Sequence, residues 1–229
     1  MCGRYSLTSP PEAIRRLFGF AGQPNLPARY NIAPTQTVPV VRAGGGDGKP
    51  ELAMMRWGLV PSWSRDINRG PPLINARIET VLVKPAFREA VRARRCLVPA
   101  DGFYEWADRA GGRQPYHVSL RRRGLFAFAG IWARWQDKTG EVLDSMAILT
   151  TASNPVLAPV HDRMPVIVAP KDFAMWLDCR GVSADAAISA IHLPSPEDFV
   201  IRPVSAHVNA VAHDDPRCLE DAEPQARLL

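Results

Sequence analysis

Leu125-Phe126-Ala127-Phe128-Ala129-Gly130-Ile131-Trp132-Ala133-Arg134-Trp135-Gln136-Asp137-Lys138-Thr139-Gly140-Glu141-Val142-Leu143-Asp144-Ser145-Met146-Ala147-Ile148-Leu149-Thr150 holds two strand-like apolar runs, 125–132 and 144–150, either side of the turn signal Asp137–Gly140. That is the pattern of a hairpin. Upstream, residues 96–98, 102–106 and 116–120 read as further strands, and downstream 165–168 and 200–203 do so. Nearer the start, 38–42 and 52–57 pair across a flexible Gly44-Gly45-Gly46 tip, after an extended segment at 30–34. Helices are fewer. Ser9-Pro10-Pro11-Glu12 has capping-box spacing with Pro at the first helical position and predicts a helix to residue 18. The Phe87, Val91 spacing predicts another over 85–95, and two more follow at 171–177 and 183–191. Residues 58–72, with Pro61, Gly70, Pro71 and Pro72 around Trp63, read as a structured loop. Strands joined mainly by hairpins, with helices inserted irregularly, define an α+β single domain around a curved, barrel-like, mostly antiparallel sheet. No repeat or linker divides it. The domain is expected to span 1–213, with a disordered tail at 214–229.

The composition is that of a globular protein: 229 residues, 46% hydrophobic and 22% charged. No apolar run approaches the roughly 18 residues that span a bilayer, and no signal peptide is read. No membrane association is therefore expected, and the cytoplasm is the expected compartment. Cys2, Cys96, Cys179 and Cys218 are far apart and form no CxxC pair, so neither a zinc site nor a disulfide framework is expected. Cys96, before Leu97-Val98-Pro99, reads as a buried strand residue. No metal or other cofactor is called for. The net charge is +5, with 24 Arg against 4 Lys. Codon bias in a GC-rich genome explains that ratio, and so does a phosphate-binding surface, since the guanidinium fork matches phosphate oxygens. Arg92, Arg94 and Arg95 cluster at a helix end, whereas Arg121, Arg122 and Arg123 read as a solvated turn.

Position 2 carries the most unusual chemistry. Removal of Met1, which is normal before a small residue, would leave Cys2 with an α-amine and a thiol on adjacent carbons. The thiol can then act as a nucleophile with the amine as its base. Alternatively the amine can condense with an aldehyde and the thiol can close on the imine carbon, forming a thiazolidine. Unperturbed pKa values near 7.7–8.0 and about 8.5 leave most of both groups protonated at pH 7, so neighbours must tune them.

Four internal segments are more polar than their surroundings require. In Leu73–Thr80, Asn75, Arg77 and Glu79 alternate with apolar residues and would share one face of an extended stretch. A solvated face with an Arg77–Glu79 pair is the structural alternative. In Asp101-Gly102-Phe103-Tyr104-Glu105-Trp106, Glu105 shares a side with Phe103, and a carboxyl among aromatics gains a raised pKa through desolvation. An ordinary edge-strand Glu would look the same. His161, in Pro159-Val160-His161-Asp162-Arg163-Met164-Pro165, is placed for proton transfer, although a lone His is often structural. Trp63 in its proline-rich loop can stack on a nucleic-acid base or simply pin the loop.

These segments, with Met1-Cys2-Gly3-Arg4-Tyr5, Arg29-Tyr30-Asn31-Ile32-Ala33-Pro34 and Trp57-Gly58-Leu59-Val60-Pro61-Ser62-Trp63, resemble the SRAP family of SOS-response-associated peptidases, described as abasic-site processing proteins. Six motifs occur in the family's order between residue 1 and about 210. The resemblance implies a groove for single-stranded DNA containing abasic sites, with Cys2 at its base capturing the ring-opened deoxyribose aldehyde as a thiazolidine. It further implies that Asn75 positions the sugar, Glu105 is the acid/base and His161 assists proton transfer. Arg4 and Arg77 match phosphate-binding arginines, and Pro34 and Trp63 match residues along the DNA path. Such a protein would work in the cytoplasm, on the nucleoid when bound to DNA. Weak AP lyase and self-processing peptidase activities are also implied. Ser64 follows Trp63 where some members have a second aromatic. Two rival readings stand beside this one. The first is an N-terminal-nucleophile thiol amidohydrolase or peptidase, although Arg4 stands where glutamine amidotransferases continue Met-Cys-Gly with an apolar residue. The second is a non-catalytic nucleic-acid-binding module.

Overall fold

Strands Phe126–Gln136 and Val142–Ala152 pair antiparallel from Gln136↔Val142 to Gly130↔Ile148 in the computed structural model, which describes residues 2–46, 48–67, 70–109, 112–121 and 124–222. The Asp137 carboxylate closes the turn between them by accepting from the Thr139 and Glu141 amides, both at 2.8 Å. Gly140 supplies the positive φ of 91° that this turn needs. In chain order the elements are β1 Arg4–Leu7, α1 Pro11–Phe18, β2 Arg29–Ile32, β3 Thr37–Ala43, β4 Pro50–Trp57, β5 Asn75–Arg77 and α2 Arg88–Ala93. There follow β6 Arg95–Ala100, β7 Gly102–Arg109, β8 Gly112–Leu120, β9 Phe126–Gln136, β10 Val142–Ala152, β11 Arg163–Pro165 and β12 Ile167–Val168. The last are α3 Phe173–Leu177, α4 Ala184–Ala190 and β13 Phe199–Pro203.

Two sheets result. One runs β11-β10-β4-β3-β6-β9-β12, and because β9 also pairs with β10, the strands β10, β4, β3, β6 and β9 close a ring. The other is open and antiparallel, in the order β13-β8-β7-β1-β2. The barrel-like, mostly antiparallel architecture read from the sequence is therefore present. Its parallel pairings are β4 and β5 on β10. Tyr5, Trp57, Phe103 and Phe128 fill the space between the sheets at 1% exposure or less. Tyr5 meets Trp57 at 5.3 Å and Phe128 at 5.8 Å edge-on. Such contacts add about 0.5–1.5 kcal/mol each to the burial itself. No helix of the described residues is long and apolar enough to cross a membrane. Cys96 is buried in β6, as expected.

Four local expectations are corrected. The Ser9 capping box does not form: Pro10 is the N-cap, without a side-chain bond, and the Ser9 amide and hydroxyl both donate to Asp101 (2.8 and 3.1 Å). The helix over 85–95 contracts to α2, because Arg95 starts β6 with its guanidinium buried. That group donates to the carbonyls of Trp176 (2.6 Å), Asp178 (2.6 Å) and Val182 (2.9 Å). The strand at 165–168 breaks in two as β11 follows β10 and β12 follows β9. Finally, disorder does not begin at residue 214. Asp214 pairs with Arg29 and accepts from the Asn31 amide at 2.9 Å, Pro216–Leu219 forms a 3-10 turn and Cys218 is buried. Residues 223–229 of the expected tail, like Arg122 and Arg123 of the expected turn, lie outside the described residues.

Gly102 opens β7 directly beneath His117. A Cβ there would stand 1.9 Å from His117 Nε2, and the ring is held by Tyr104 (centroids 5.1 Å apart) and the Ser6 hydroxyl (3.3 Å). Gly102→Ala is expected to destabilise by about 2–3 kcal/mol and to lower Tm by about 4–12 °C. Thermal melts of the two proteins test this; superimposable melts would mean that the ring yields freely.

Candidate functional site

Cys2 enters β1, which pairs with β7 in the register Arg4↔Tyr104, Tyr5↔Phe103. The same register, continued one residue back, sets Gly3 opposite Glu105. Alternation along β7 sends Phe103 and Glu105 toward the core and Tyr104 and Trp106 to the other face. The packing agrees: Phe103 lies in the main core with Cys2, whereas Tyr104 and Trp106 pack with Val204, Val208 and Cys218. Cys2 is fully buried, its thiol 3.8 Å from the Arg4 carbonyl. Parallel pairing of β5 with β10 carries Asn75 to the same place, where its Nδ2 donates to the Cys2 carbonyl at 2.8 Å. Asn75 Oδ1 is buried with no hydrogen-bond partner among the described residues.

Glu105 is 2% exposed, and burial pushes its carboxyl up to about 7. His161 Nε2 stands 3.9 Å from Glu105 Oε2. The Arg163 amide donates to His161 Nδ1 at 3.0 Å, which assigns the proton of the neutral ring to Nε2, on the side of Glu105. Asp162 Oδ1 also lies 2.9 Å from Nδ1, but that carboxylate is 84% exposed and solvated, so the amide keeps the lone pair. Burial lowers the His161 pKa, so the ring is held neutral. A carboxyl that is half protonated near pH 7 does little to oppose this. Ser153 fixes the segment by donating to the His161 carbonyl at 2.6 Å. Burial first, and the charge of Glu105 next, raise the Cys2 thiol well above its ordinary value, so the sulfur stays protonated at pH 7.

Four residues from four separate segments of the chain, Cys2, Asn75, Glu105 and His161, thus meet. Arg77 ends β5 on the surface, and no hydrogen bond or ion pair engages its side chain among the described residues. Glu79 does not share a strand face with it, because β5 ends at Arg77; Glu79 turns to Arg163, which grips it at 2.7 and 2.9 Å. Arg4 is tied down instead of free: its guanidinium donates to Asn31 Oδ1 (2.8 Å) and to the Val208 carbonyl (3.0 Å). It still lines a cavity of about 390 Å³ with Gly3, Trp106, Arg113 and Asn209. Pro34 is half-buried beside Thr35, whose φ of 70° is rare for a β-branched residue and is held by a 2.7 Å bond from its amide to the Trp57 carbonyl. Trp63 is 65% exposed on its loop. No hydrogen bond or ring contact joins Pro34 or Trp63 to the four-residue cluster among the described residues.

Three neighbours of the cluster escaped the sequence reading. Arg163 adjoins His161 and orders both Glu79 and the Thr150 carbonyl (2.7 Å). Asn31 anchors Arg4 and the carbonyls of Val208, Ala210 and His213. Tyr5 brings a buried hydroxyl into the core. Asn31 and Arg163 stood in quoted motifs as polar residues in apolar company, which was the available signal.

The profile of the family described as "SOS response associated peptidase (SRAP)" matches residues 1–211. The chain belongs to this family. The abasic site processing protein YoaM of Bacillus subtilis is 36% identical over 227 residues, covering 97% of this chain and 99% of the relative. The abasic site processing protein YoqW of Bacillus subtilis is 34% identical over 224 residues, with 96% and 99% covered. The abasic site processing protein HMCES of Gallus gallus is 31% identical over 265 residues, covering 97% of this chain and 78% of the relative. The fold is similar to a crystal structure of a Bacteroides thetaiotaomicron protein, with a TM-score of 0.83, 23% identity and 97% and 100% of the two chains covered.

Proposed function

We propose that this protein processes abasic sites in single-stranded DNA by trapping the ring-opened sugar aldehyde on Cys2, once Met1 has been removed. The observation that carries the reading is one juxtaposition. Cys2 is held through its carbonyl by Asn75, beside a Glu105 carboxyl brought to about 7 and faced by a neutral His161. The names of the relatives supply the substrate class.

The chemistry follows from the groups. The Cys2 amine attacks the aldehyde carbon, and Glu105 as an acid protonates the departing hydroxyl, so that water leaves and an iminium forms. The sulfur then bonds to that carbon, the C=N π electrons return to nitrogen, and the thiol proton passes to the Glu105 carboxylate. Aldehyde plus aminothiol has become thiazolidine plus water. His161, with its proton on Nε2, donates to Glu105 or to the sugar oxygen. Asn75 Oδ1, an acceptor without a partner among the described residues, is available to a sugar hydroxyl or to the Cys2 amine. An iminium that does not close can lose its 3′ phosphate by β-elimination, which gives weak lyase activity.

Incubation of the trimmed protein with a single-stranded oligonucleotide bearing one abasic site tests the reading. A band that survives denaturation, with the intact mass of protein plus DNA minus water, is expected. An amidohydrolase would give peptide or amide cleavage and no such mass, and a binding module would give neither.

The Arg77 side chain has no hydrogen bond or ion pair among the described residues to surrender on meeting a phosphate. If about three or four phosphates are neutralised, log affinity falls against log salt with a slope of about −2 to −3. Arg77→Ala is expected to weaken binding and flatten that slope by about 0.7. A salt titration by fluorescence anisotropy measures it, and an unchanged slope removes Arg77 from the DNA path.

A further inference from the structure

The hydroxyl of Tyr5 is out of place. The side chain is 0% exposed, its ring wedged against Trp57 and Phe128, and its hydroxyl has no hydrogen-bond partner among the described residues. A phenylalanine would fill that space without stranding a polar group. The strand register says what the hydroxyl has for company. Tyr5 sits directly across from Phe103, and Glu105 lies two residues further along β7 on the same, core-facing side. Cys2 belongs to this same buried cluster. Trp57, against the Tyr5 ring, donates its indole N–H to the carbonyl of Ile74, the residue before Asn75. Tyr5 is therefore enclosed by the elements that deliver Asn75, Glu105 and Cys2. Burial first, and Cys2 next, raise its pKa, so the phenol remains a neutral donor at any working pH.

The sulfur needs a donor. Burial and Glu105 both disfavour its thiolate, yet ring closure asks it to act as a nucleophile. In the structure the sulfur is turned to the Arg4 carbonyl, an acceptor that favours the protonated thiol. Closure requires it to swing away toward the iminium carbon.

We propose that Tyr5 is a positioning residue for this closure, its phenolic O–H donating a hydrogen bond to the Cys2 sulfur in the reacting rotamer and so stabilising the thiolate. The proposal rests on the thiazolidine reading above. Tyr5 keeps its proton throughout. The thiol proton goes to the Glu105 carboxylate, the C–S bond forms, and nitrogen recovers the C=N electron pair. A hydrogen bond offered to the charged form lowers a pKa, which offsets part of what burial does to this thiol.

The test is Tyr5→Phe in the Met1-trimmed protein, with single-turnover capture of an abasic single-stranded oligonucleotide over pH 5–9. Borohydride reduction counts the imine, and the adduct stable without borohydride counts the closed ring. Imine formation is expected to stay within about twofold of wild type, while closure at pH 7 slows about tenfold and its pH profile moves about one unit upward. Iodoacetamide labelling of Cys2, located by mass spectrometry, should show the same upward movement of the thiol pKa in the absence of DNA. Removing a stranded hydroxyl should leave Tm unchanged or higher, and a variant that nevertheless melted early would be compared by this labelling alone at a temperature where it is folded. Closure at the wild-type rate with an unmoved profile, or an unmoved labelling pKa, overturns the role of Tyr5. Failure of the underlying reading looks different, since the wild-type protein itself would then give only borohydride-dependent adducts.

Discussion

Cys2→Ala is expected to bind abasic single-stranded DNA almost normally and to form no adduct that survives denaturation. The substitution leaves the α-amine in place, so imine formation can continue, and sodium borohydride should still trap it. What disappears is the second bond that makes the product durable. Cys2 makes its described contacts through its backbone carbonyl, to Asn75, and through a weak thiol contact to the Arg4 carbonyl. The fold therefore loses little more than one buried sulfur, about 1–2 kcal/mol. Cys2→Ser is expected to fail as well, because an oxazolidine hydrolyses more readily than a thiazolidine. Retention of Met1 should be as inhibitory as either change, since it converts the amine into an amide. Denaturing gels with and without borohydride separate these cases. A Cys2→Ala protein whose adduct is stable without reductant would falsify the mechanism.

The strand framework was legible because its signals are local. The turn at Asp137–Gly140 and the apolar runs beside it carry their own register, and the hairpins around β3–β4 and β7–β8 do likewise. Where the reading failed, a distant group had outbid a local preference. Ser9 gives its amide and hydroxyl to Asp101, 92 positions away, and not to its own helix. Arg95 joins a strand because three carbonyls between residues 176 and 182 accept from its guanidinium, which no window around residue 95 can show. Asp214 and Cys218 are fastened from β2 and from within their own turn, although the composition there is that of a tail. The parallel pairings of β10 leave no trace in spacing.

The candidate site divides along the same line. Glu105 was readable as a carboxyl that alternation places among apolar neighbours, and its raised pKa followed from that. The convergence of Cys2, Asn75, Glu105 and His161 was not readable from spacing, because it is made by β1 on β7 and β5 on β10. Only the resemblance to the family joined them. Arg4, beside Cys2, was expected to meet phosphate; in the structure it holds Asn31 and the segment at 208–209. Its removal should loosen that segment as well as any grip on DNA.

Glu105→Gln and His161→Ala are expected to part binding from chemistry. Neither side chain is needed to hold a phosphate, so affinity for abasic single strands should change little, while formation of the adduct slows by about 10²–10⁴-fold. With a carboxyl brought to about 7, Glu105 is mainly protonated at pH 6 and mainly ionised at pH 8. Expulsion of water needs the acid form, and uptake of the thiol proton needs the base form. Wild-type rates should therefore pass through a maximum near neutrality: below it closure lacks its base, and above it dehydration lacks its acid. Glutamine has neither form, so the Glu105→Gln profile should lose that maximum. What remains is a rise with pH as the amine and thiol deprotonate. Loss of His161 removes a neutral donor 3.9 Å from the carboxyl, so the maximum should survive at a lower rate. In the proposed mechanism capture and release run through one set of proton transfers, so both substitutions should slow reversal by the factor that slows formation. Single-turnover formation and release, followed on denaturing gels across pH 5–9, measure all of this. If formation slows while release does not, the two directions use different groups, and Glu105 is not the shared acid and base.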